Sequence, residues 1–522
     1  MFRHRVPAMG CVIAVASIIG AASLTALGAS AATNARTGAA QSSNTITILY
    51  SGSEPASFDP NYSTLTTSTN MYDNIFDKLD IRNAHTGKVD PALAVSWKAI
   101  SPTVWDFQLR KGVKFTDGEP FNASSVVFTF GLALNPATKS LITPFISPYI
   151  ASVKAVNAYD VRIYTIGPYA PLPSRLLSIW MLPPKYYETY GAANFAQHPV
   201  GTGPYKLVSW IKGDEITMTA NNNYWRGKPR IGGIIWKIVN DAGTRVAALE
   251  AGQADIAYQV PVEDLAALQS NPNTKVSNMV SARVMIAGFN AFQPPFNNVL
   301  VRQALNYAVD KKAIINSILG GYGRQVGSTG SPSEFGFDPK IQPYPYDPAK
   351  AKQLLVEAGY PNGFTTTWDG TAGRYQSDVQ VEQAIAGYLA AVGVKVNMNL
   401  TDVGTFFNAW LAKKYNGIWF FGQGDPLLDE DYMLESMVYG PGRGWYYSSP
   451  QSDAMIHQAA GETNLAARLK TYAKVLQYMH GQAPWIFLWN DTTHWGLSRR
   501  INWHSDASDD LWVYSASWAK KK

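Results

Sequence analysis

The spacing of apolar positions divides much of the chain into helix–strand units. Between residues 377 and 400, Val381, Ala384, Ile385, Tyr388, Leu389 and Val392 recur at helical spacing and form one apolar stripe. Gly393 then suits a left-handed position just past the helix end. Val394, Val396, Met398 and Leu400 alternate with Lys395, Asn397 and Asn399, the period-two pattern of a strand. A second unit opens with Asp241 as N-cap, runs through Val246 and Leu249 to Gly252, and passes into a short strand at 255–258. A third helix starts at Asp347 and Pro348, cap then first-turn proline, and stops at Gly359. Ile46 and Ile48 alternate with threonine up to Tyr50, a first strand broken by Ser51-Gly-Ser-Glu-Pro55. Such units predict α/β layers, without fixing strand order.

The texture differs between residues 90 and 195. Residues 105–110 and 113–115 predict a pair of hairpin strands, with Asp117-Gly118 at a turn. Asn122 caps a helix through Val126, Val127, Phe128 and Phe130, and proline is dense from 168 to 184. This predicts an inserted subdomain. Beyond it, Gly201-Thr-Gly203-Pro204 is turn chemistry, where glycine permits positive φ and proline fixes φ. Tyr205-Lys-Leu-Val-Ser-Trp210 follows as a strand.

The 522 residues are too many for one core, so two or three domains are expected. Arg3 and Arg5, an apolar run from Cys11 to Leu27 and Ala29-Ser-Ala31 form the three parts of a secretory signal peptide, cut after Ala31. A retained anchor is the alternative, since the run is almost long enough to span a bilayer. Cleavage removes the single cysteine, Cys11, and leaves no disulfide or thiolate metal site. It also lowers the formal charge from +6 to +4, and no basic run interleaved with aromatics points to nucleic acid.

Chemistry for catalysis is not advertised. The seven histidines lack zinc-helix spacing, and there is neither a Gly-x-Ser-x-Gly elbow nor a Gly-Lys-Ser/Thr phosphate loop. No metal or cofactor is therefore expected. Asp429, Glu430, Asp431 and Glu435 form the densest acidic segment. A carboxylate pair or a calcium site is one reading. The plainer one is a helix with Asp425 as cap and Pro426 at its first position, its acidic turn matched to the dipole.

The segment from Gly201-Thr-Gly203-Pro204 to Asn223-Tyr-Trp225 strongly resembles the signature of the extracytoplasmic solute-binding proteins of ABC transporters, in the family taking up peptides, nickel chelates and some oligosaccharides. The likeness extends over nearly the whole mature chain. It includes Gly87-Lys-Val-Asp-Pro-Ala-Leu-Ala-Val-Ser-Trp97, Leu109-Arg-Lys-Gly-Val-Lys-Phe-Thr-Asp-Gly118, Val301-Arg-Gln-Ala-Leu305 and Tyr346-Asp-Pro348. The resemblance implies a two-lobed α/β periplasmic-binding-protein-like (type II) fold with an extra subdomain on lobe I. Lobe I would comprise residues 45–75, 196–285 and 485–522, the subdomain 76–195 and lobe II 286–484, after a signal peptide (1–31) and a linker (32–44). It also implies an exported monomer, in the periplasm or on the cell surface. That monomer would catalyse nothing and would deliver its ligand to a permease served by a separate ATPase.

Ile418-Trp-Phe-Phe-Gly-Gln-Gly-Asp-Pro426 resembles the family's strand and loop entering the cleft. In its peptide binders an aspartate four residues before the proline takes the peptide ammonium; here that place is Gly422, with Asp425 as the residue that could substitute. The arginine that takes the dipeptide carboxylate has no counterpart at Val379 or Gln380, although Arg374 lies just upstream. Without these counter-charges an enclosed zwitterionic dipeptide loses hydration for little return. A longer peptide held through its backbone is the expected ligand, with a neutral oligosaccharide stacked on aromatics as the alternative. A secreted hydrolase or a sensory binder are the rivals from other classes. The candidate ligand residues are Glu54, Trp419, Gln423, Asp425, Trp445 and Tyr446.

Overall fold

The computed structural model describes residues 44–83, 88–440 and 446–520. The expected signal peptide and nearly all of the linker lie outside these residues. Its backbone is an eleven-stranded mixed sheet that runs through two lobes. The strands used here are β1 (Thr45–Tyr50), β2 (Ala94–Ser101), β3 (Val104–Leu109), β4 (Ile150–Asn157), β5 (Asp160–Thr165), β6 (Tyr205–Ile211), β7 (Glu215–Ala220), β8 (Gly233–Ile238), β9 (Ile256–Tyr258), β10 (Thr274–Phe289), β11 (Phe364–Thr371), β12 (Val394–Thr401), β13 (Ile418–Gln423) and β14 (Trp485–Ser498). Ten strands of the sheet run in the order β12-β11-β13-β10-β14-β9-β1-β8-β7-β6, and the eleventh, the short Arg324–Gln325, pairs with β14 off this path.

The long strands β10 and β14 join the two ends of that order. Lys275 to Val280 pair with Thr492 to Leu497, and Val284 to Gly288 pair with Trp485 to Asn490. Apolar packing divides at the same place. One core gathers residues between Ile46 and Tyr258 with Trp495 to Ala516 and Ala460, and the cores on the other side gather residues from Val284 to Trp489.

The helix–strand units lie where periodicity placed them. Helix α1 (Thr66–Ile75) follows β1, α2 (Ala123–Leu134) follows β3, and α3 (Leu172–Leu176) lies in the proline-dense stretch. Next come α4 (Ala242–Glu250), α5 (Pro348–Glu357), α6 (Asp378–Ala391) and α7 (Glu430–Met437). The Asp241 carboxylate accepts from Thr244 N at 2.8 Å, and the Asp347 carboxylate accepts from Lys350 N at 2.8 Å, so both aspartates cap their helices. Gly393, at φ 93°, turns the chain from α6 into β12 through backbone space that L-residues rarely enter.

Two local expectations are corrected. Residues 105–110 do contain a strand, but β3 pairs with β2 and β5 in a separate four-stranded sheet, not with residues 113–115. Only an isolated bridge, Lys114 with Pro120, forms there, because Gly118 closes a tight turn back onto Phe115. Gly201 and Gly203 are not left-handed. A Cβ on Gly201 would stand 2.1 Å from the Ile75 carbonyl oxygen, and one on Gly203 would stand 2.5 Å from the Ile75 carbonyl carbon. Glycine is needed there for close approach to the end of α1.

That approach gives the signature its structural meaning. It brings Thr202, Tyr224 and Trp225 around the buried Asp77 carboxylate, which accepts from Thr202 Oγ1 (2.9 Å), Tyr224 OH (2.8 Å) and Trp225 Nε1 (2.8 Å). Asn70 and Asn74 of α1 accept from Leu511 N and Val513 N, each at 2.9 Å, tying the C-terminal segment to the first lobe. No helix among the described residues is long and apolar enough to cross a membrane.

Candidate functional site

The β10–β14 ladder shifts register twice, between Met285 and Ile286 and, over a longer gap, between Val280 and Val284. Side chains and a neighbouring loop take over there. Ser281 Oγ donates to Asp491 O (3.2 Å) and accepts from Arg283 N (3.2 Å), while Ala282 N donates to Ala507 O (2.8 Å).

Arg283, Tyr375 and Asp491 are half-buried around this interruption. Strand β11 pairs with β13 only at Trp368–Ile418 and Asp369–Trp419, so the later residues of β13 lack a strand partner on that side. The Tyr375 hydroxyl fills part of the gap, accepting from Gly422 N (2.8 Å) and donating to Gly422 O (3.3 Å). Arg283 Nη1 donates to the same carbonyl at 3.1 Å. From the first lobe, Tyr50 and Tyr258 stack at 4.2 Å. Asp509, at φ 63° and 4% exposed, also faces the group.

Charge in this cluster is strongly shaped by burial. Burial holds the Asp509 carboxyl up at about 6, with the Arg283 charge opposing the rise. Asp491 is raised for the same reason, again against Arg283. For Arg283 itself, burial is outweighed by Tyr375 and Asp509, so the guanidinium stays charged.

The acidic segment following β13 is a second polar centre. Asp425 does not cap the helix: its carboxylate accepts from Leu427 N (2.8 Å) and Asp429 N (2.9 Å) in a turn. Leu428 is left-handed at φ 46°, which ends any helix begun at Pro426. Helix α7 starts at Glu430 instead, with Asp429 as its cap through Asp431 N at 3.1 Å. Asp429 also pairs with Arg468 at 2.6 Å. Asp431 pairs with Arg175 of α3 at 2.7 Å and accepts from Tyr169 OH at 2.6 Å. Among the described residues no group of three or more His, Cys, Asp or Glu side chains is arranged to hold a metal ion.

The residues singled out in the sequence are dispersed. Trp419 is fully buried and packs on Tyr446 with ring centroids 5.3 Å apart. Tyr446 donates from its hydroxyl to Trp410 O at 3.0 Å. Both belong to one apolar core with Trp410 and Phe421. Gln423 stands opposite Val284 beside the interruption, with Nε2 donating to Gly424 O at 2.8 Å. Glu54 accepts from Trp210 Nε1 and from Gly213 N, and lines a cavity of about 380 Å³ with Asn240 and Trp236. Trp445 lies outside the described residues. Sequence reasoning missed Arg283, Tyr375, Asp491 and Asp509. The one available signal was Arg283, a charge set in the apolar run that becomes β10.

Residues 88–445 match the model of the bacterial extracellular solute-binding proteins, family 5, in its middle region. The chain belongs to this family. Family 5 relatives include the heme-binding protein A of Haemophilus influenzae, 33% identical over 500 residues, covering 90% of this chain and 91% of that protein. The glutathione-binding protein GsiB of Pectobacterium atrosepticum is 33% identical over 402 residues, covering 73% and 76%. Among solved structures, the periplasmic binding protein DppA of Helicobacter pylori in complex with peptide STSA superposes with a TM-score of 0.80 at 25% identity, covering 91% of this chain and 98% of that one. These family 5 relatives are named as binding proteins, and the family description places its members outside the cell.

Proposed function

We propose that this protein is the extracytoplasmic substrate-binding component of an ABC importer, capturing peptides between two hinged lobes and delivering them to a permease energised by a separate ATPase. The observation that carries the peptide reading is the superposition on the peptide-bound DppA over 91% of this chain, within a shared family. We take the gap between Val280 and Val284 in the β10–β14 ladder as the hinge, with Tyr258, Arg283, Tyr375 and Asp509 around it. The cleft binds and releases without bond making or breaking. Residues 1–31 direct export and are removed after Ala31, which leaves the mature chain in the periplasm or on the cell surface. We assign residues 45–75, 196–285 and 485–522 to lobe I, 76–195 to its subdomain and 286–484 to lobe II, with Trp485 to Trp489 at the start of β14 packing in the lobe II cores. Of the sequence-derived candidates, Gln423, beside the hinge, and Glu54 are retained as ligand contacts.

Titration calorimetry with a degenerate pool of tetra- to octapeptides tests this reading. Micromolar binding, about −8 kcal/mol, is expected, with a smaller radius of gyration in scattering and intact peptide recovered afterwards. No heat from any peptide, or cleaved peptide in the eluate, would overturn it.

A further inference from the structure

Resting on the peptide reading, we propose that Arg283 is the hinge counter-ion for a ligand carboxylate, so that the cleft selects peptides by an anionic group and not by their ammonium.

The geometry at Gly422 excludes a carboxylate side chain from that place. A Cβ there would lie 2.6 Å from Met285 Sδ, 2.9 Å from Tyr375 Cε1 and 3.0 Å from Arg283 Cδ. The space beside this stretch of β13 is filled by the Arg283 stem and the Tyr375 ring. At Gly424 a Cβ would have the Arg283 guanidinium nitrogens at 3.7 and 3.8 Å, so the cation lies along the Gly422-Gln-Gly424 strip.

Arg283 also differs from the buried arginines in what its N–H groups do. Arg175 and Arg468 are paired with Asp431 and Asp429. Arg245 donates to the carbonyls of Val239, Asn240, Tyr258 and Gln259, and Arg302 donates to those of Phe296 and Gln482. Arg283 makes one side-chain hydrogen bond among the described residues, to a neutral carbonyl, and no ion pair within 4.0 Å. Asp491 and Asp509 face it and help keep it charged, yet neither closes on its fork. A half-buried guanidinium with N–H groups to spare is suited to bidentate carboxylate binding, and it sits where both lobes meet.

Three tetrapeptide pools separate the possibilities in calorimetric titrations of the full chain. The first is N-acetylated with a free C-terminus and lacks Asp and Glu. The second has a free N-terminus and a C-terminal amide and lacks Asp and Glu. The third is amidated and contains Asp and Glu. The first pool is expected to bind within threefold of unblocked peptides, and the second at least thirtyfold more weakly. Recovery in the third pool would assign the carboxylate to a side chain of the ligand, and its absence to the C-terminus; both outcomes support Arg283 as counter-ion. Arg283→Gln should weaken the acetylated pool at least thirtyfold, and Arg283→Lys, which keeps the charge, should restore part of that loss. Binding that survives amidation but not acetylation would mean that Asp491 and Asp509 hold an ammonium, and would overturn the inference alone. Pools that all bind equally would do the same. Failure of every pool, unblocked peptides included, would remove the peptide reading and the inference together.

Discussion

Arg175 of α3 and Asp431 of α7 form a 2.7 Å ion pair, with side chains only 3% and 1% exposed, between the proposed subdomain and the proposed second lobe. Tyr169 OH donates to the same carboxylate, and Tyr149 OH donates to Glu435 of the same helix at 3.3 Å. Removing one partner of such a pair leaves the other charge buried and uncompensated. Arg175→Met is expected to cost about 3–5 kcal/mol in urea unfolding. Where the cost is met by separating the surfaces, scattering will report a larger radius of gyration for the ligand-free variant.

Stability should depend on pH through the carboxyls beneath α7. Burial holds Glu430 up at about 8, with Asp425 and Asp429 adding to the rise and Thr329 opposing it, and burial likewise holds Asp425 at about 7. In the unfolded chain such groups titrate near pH 4. The folded state therefore binds their protons more tightly. The stabilisation is fully present below about pH 4 and is lost as pH rises through 7 to 8. The melting temperature is expected to fall between pH 5 and pH 8.5, and Glu430→Gln should flatten that fall.

The signature glycines should respond to alanine for different reasons from Gly393. At Gly203 the new methyl meets backbone of Ile75 at 2.5 Å, which cannot move aside without shifting α1. Overpacking of this kind costs about 1–3 kcal/mol or more. At Gly393 the nearest atom outside its chain neighbours is 3.4 Å away, so the cost comes from φ alone, about 1–2 kcal/mol. Chemical denaturation should rank Gly203→Ala as the more damaging. An equal or reversed ranking would show that the Ile75 contact relaxes.

Trp419 should matter for folding and not for ligand. Its ring packs so tightly on Gly288 that a Cβ there would stand 2.0 Å from it, and its Nε1 has no hydrogen-bond partner among the described residues. Trp419→Ala is expected to cost about 3–5 kcal/mol. Trp419→Phe should leave peptide affinity unchanged, and an affinity loss above tenfold in calorimetry would place the indole in the cleft.

Local structure was legible wherever one rule governed a short stretch. Asp241, Asp347 and Asn122 could be read as caps because the carboxylate or amide answers to backbone two or three residues ahead. The α6–Gly393–β12 unit was legible because its two periods abut. Pairing was not: β3 turns to β2 and β5, a choice set by tertiary contacts. The start of α7 was missed because a left-handed Leu428 carries no compositional mark. The candidate site fared worst, since aromatic residues near the cleft sequence, such as Trp419 and Tyr446, are equally good core. The hinge cluster draws Tyr50, Arg283, Tyr375, Asp491 and Asp509 from five distant parts of the chain, a convergence that no spacing rule encodes.

In the proposed hinge, the break between Val280 and Val284 is the pivot. Points far from a pivot sweep wide arcs, whereas points on it scarcely travel. Arg283 lies on that line, so it offers the same charge in the same place whether the jaws gape or meet. A solute can thus be moored first at the stationary centre, and the two moving walls then have only to fold over a cargo already aligned.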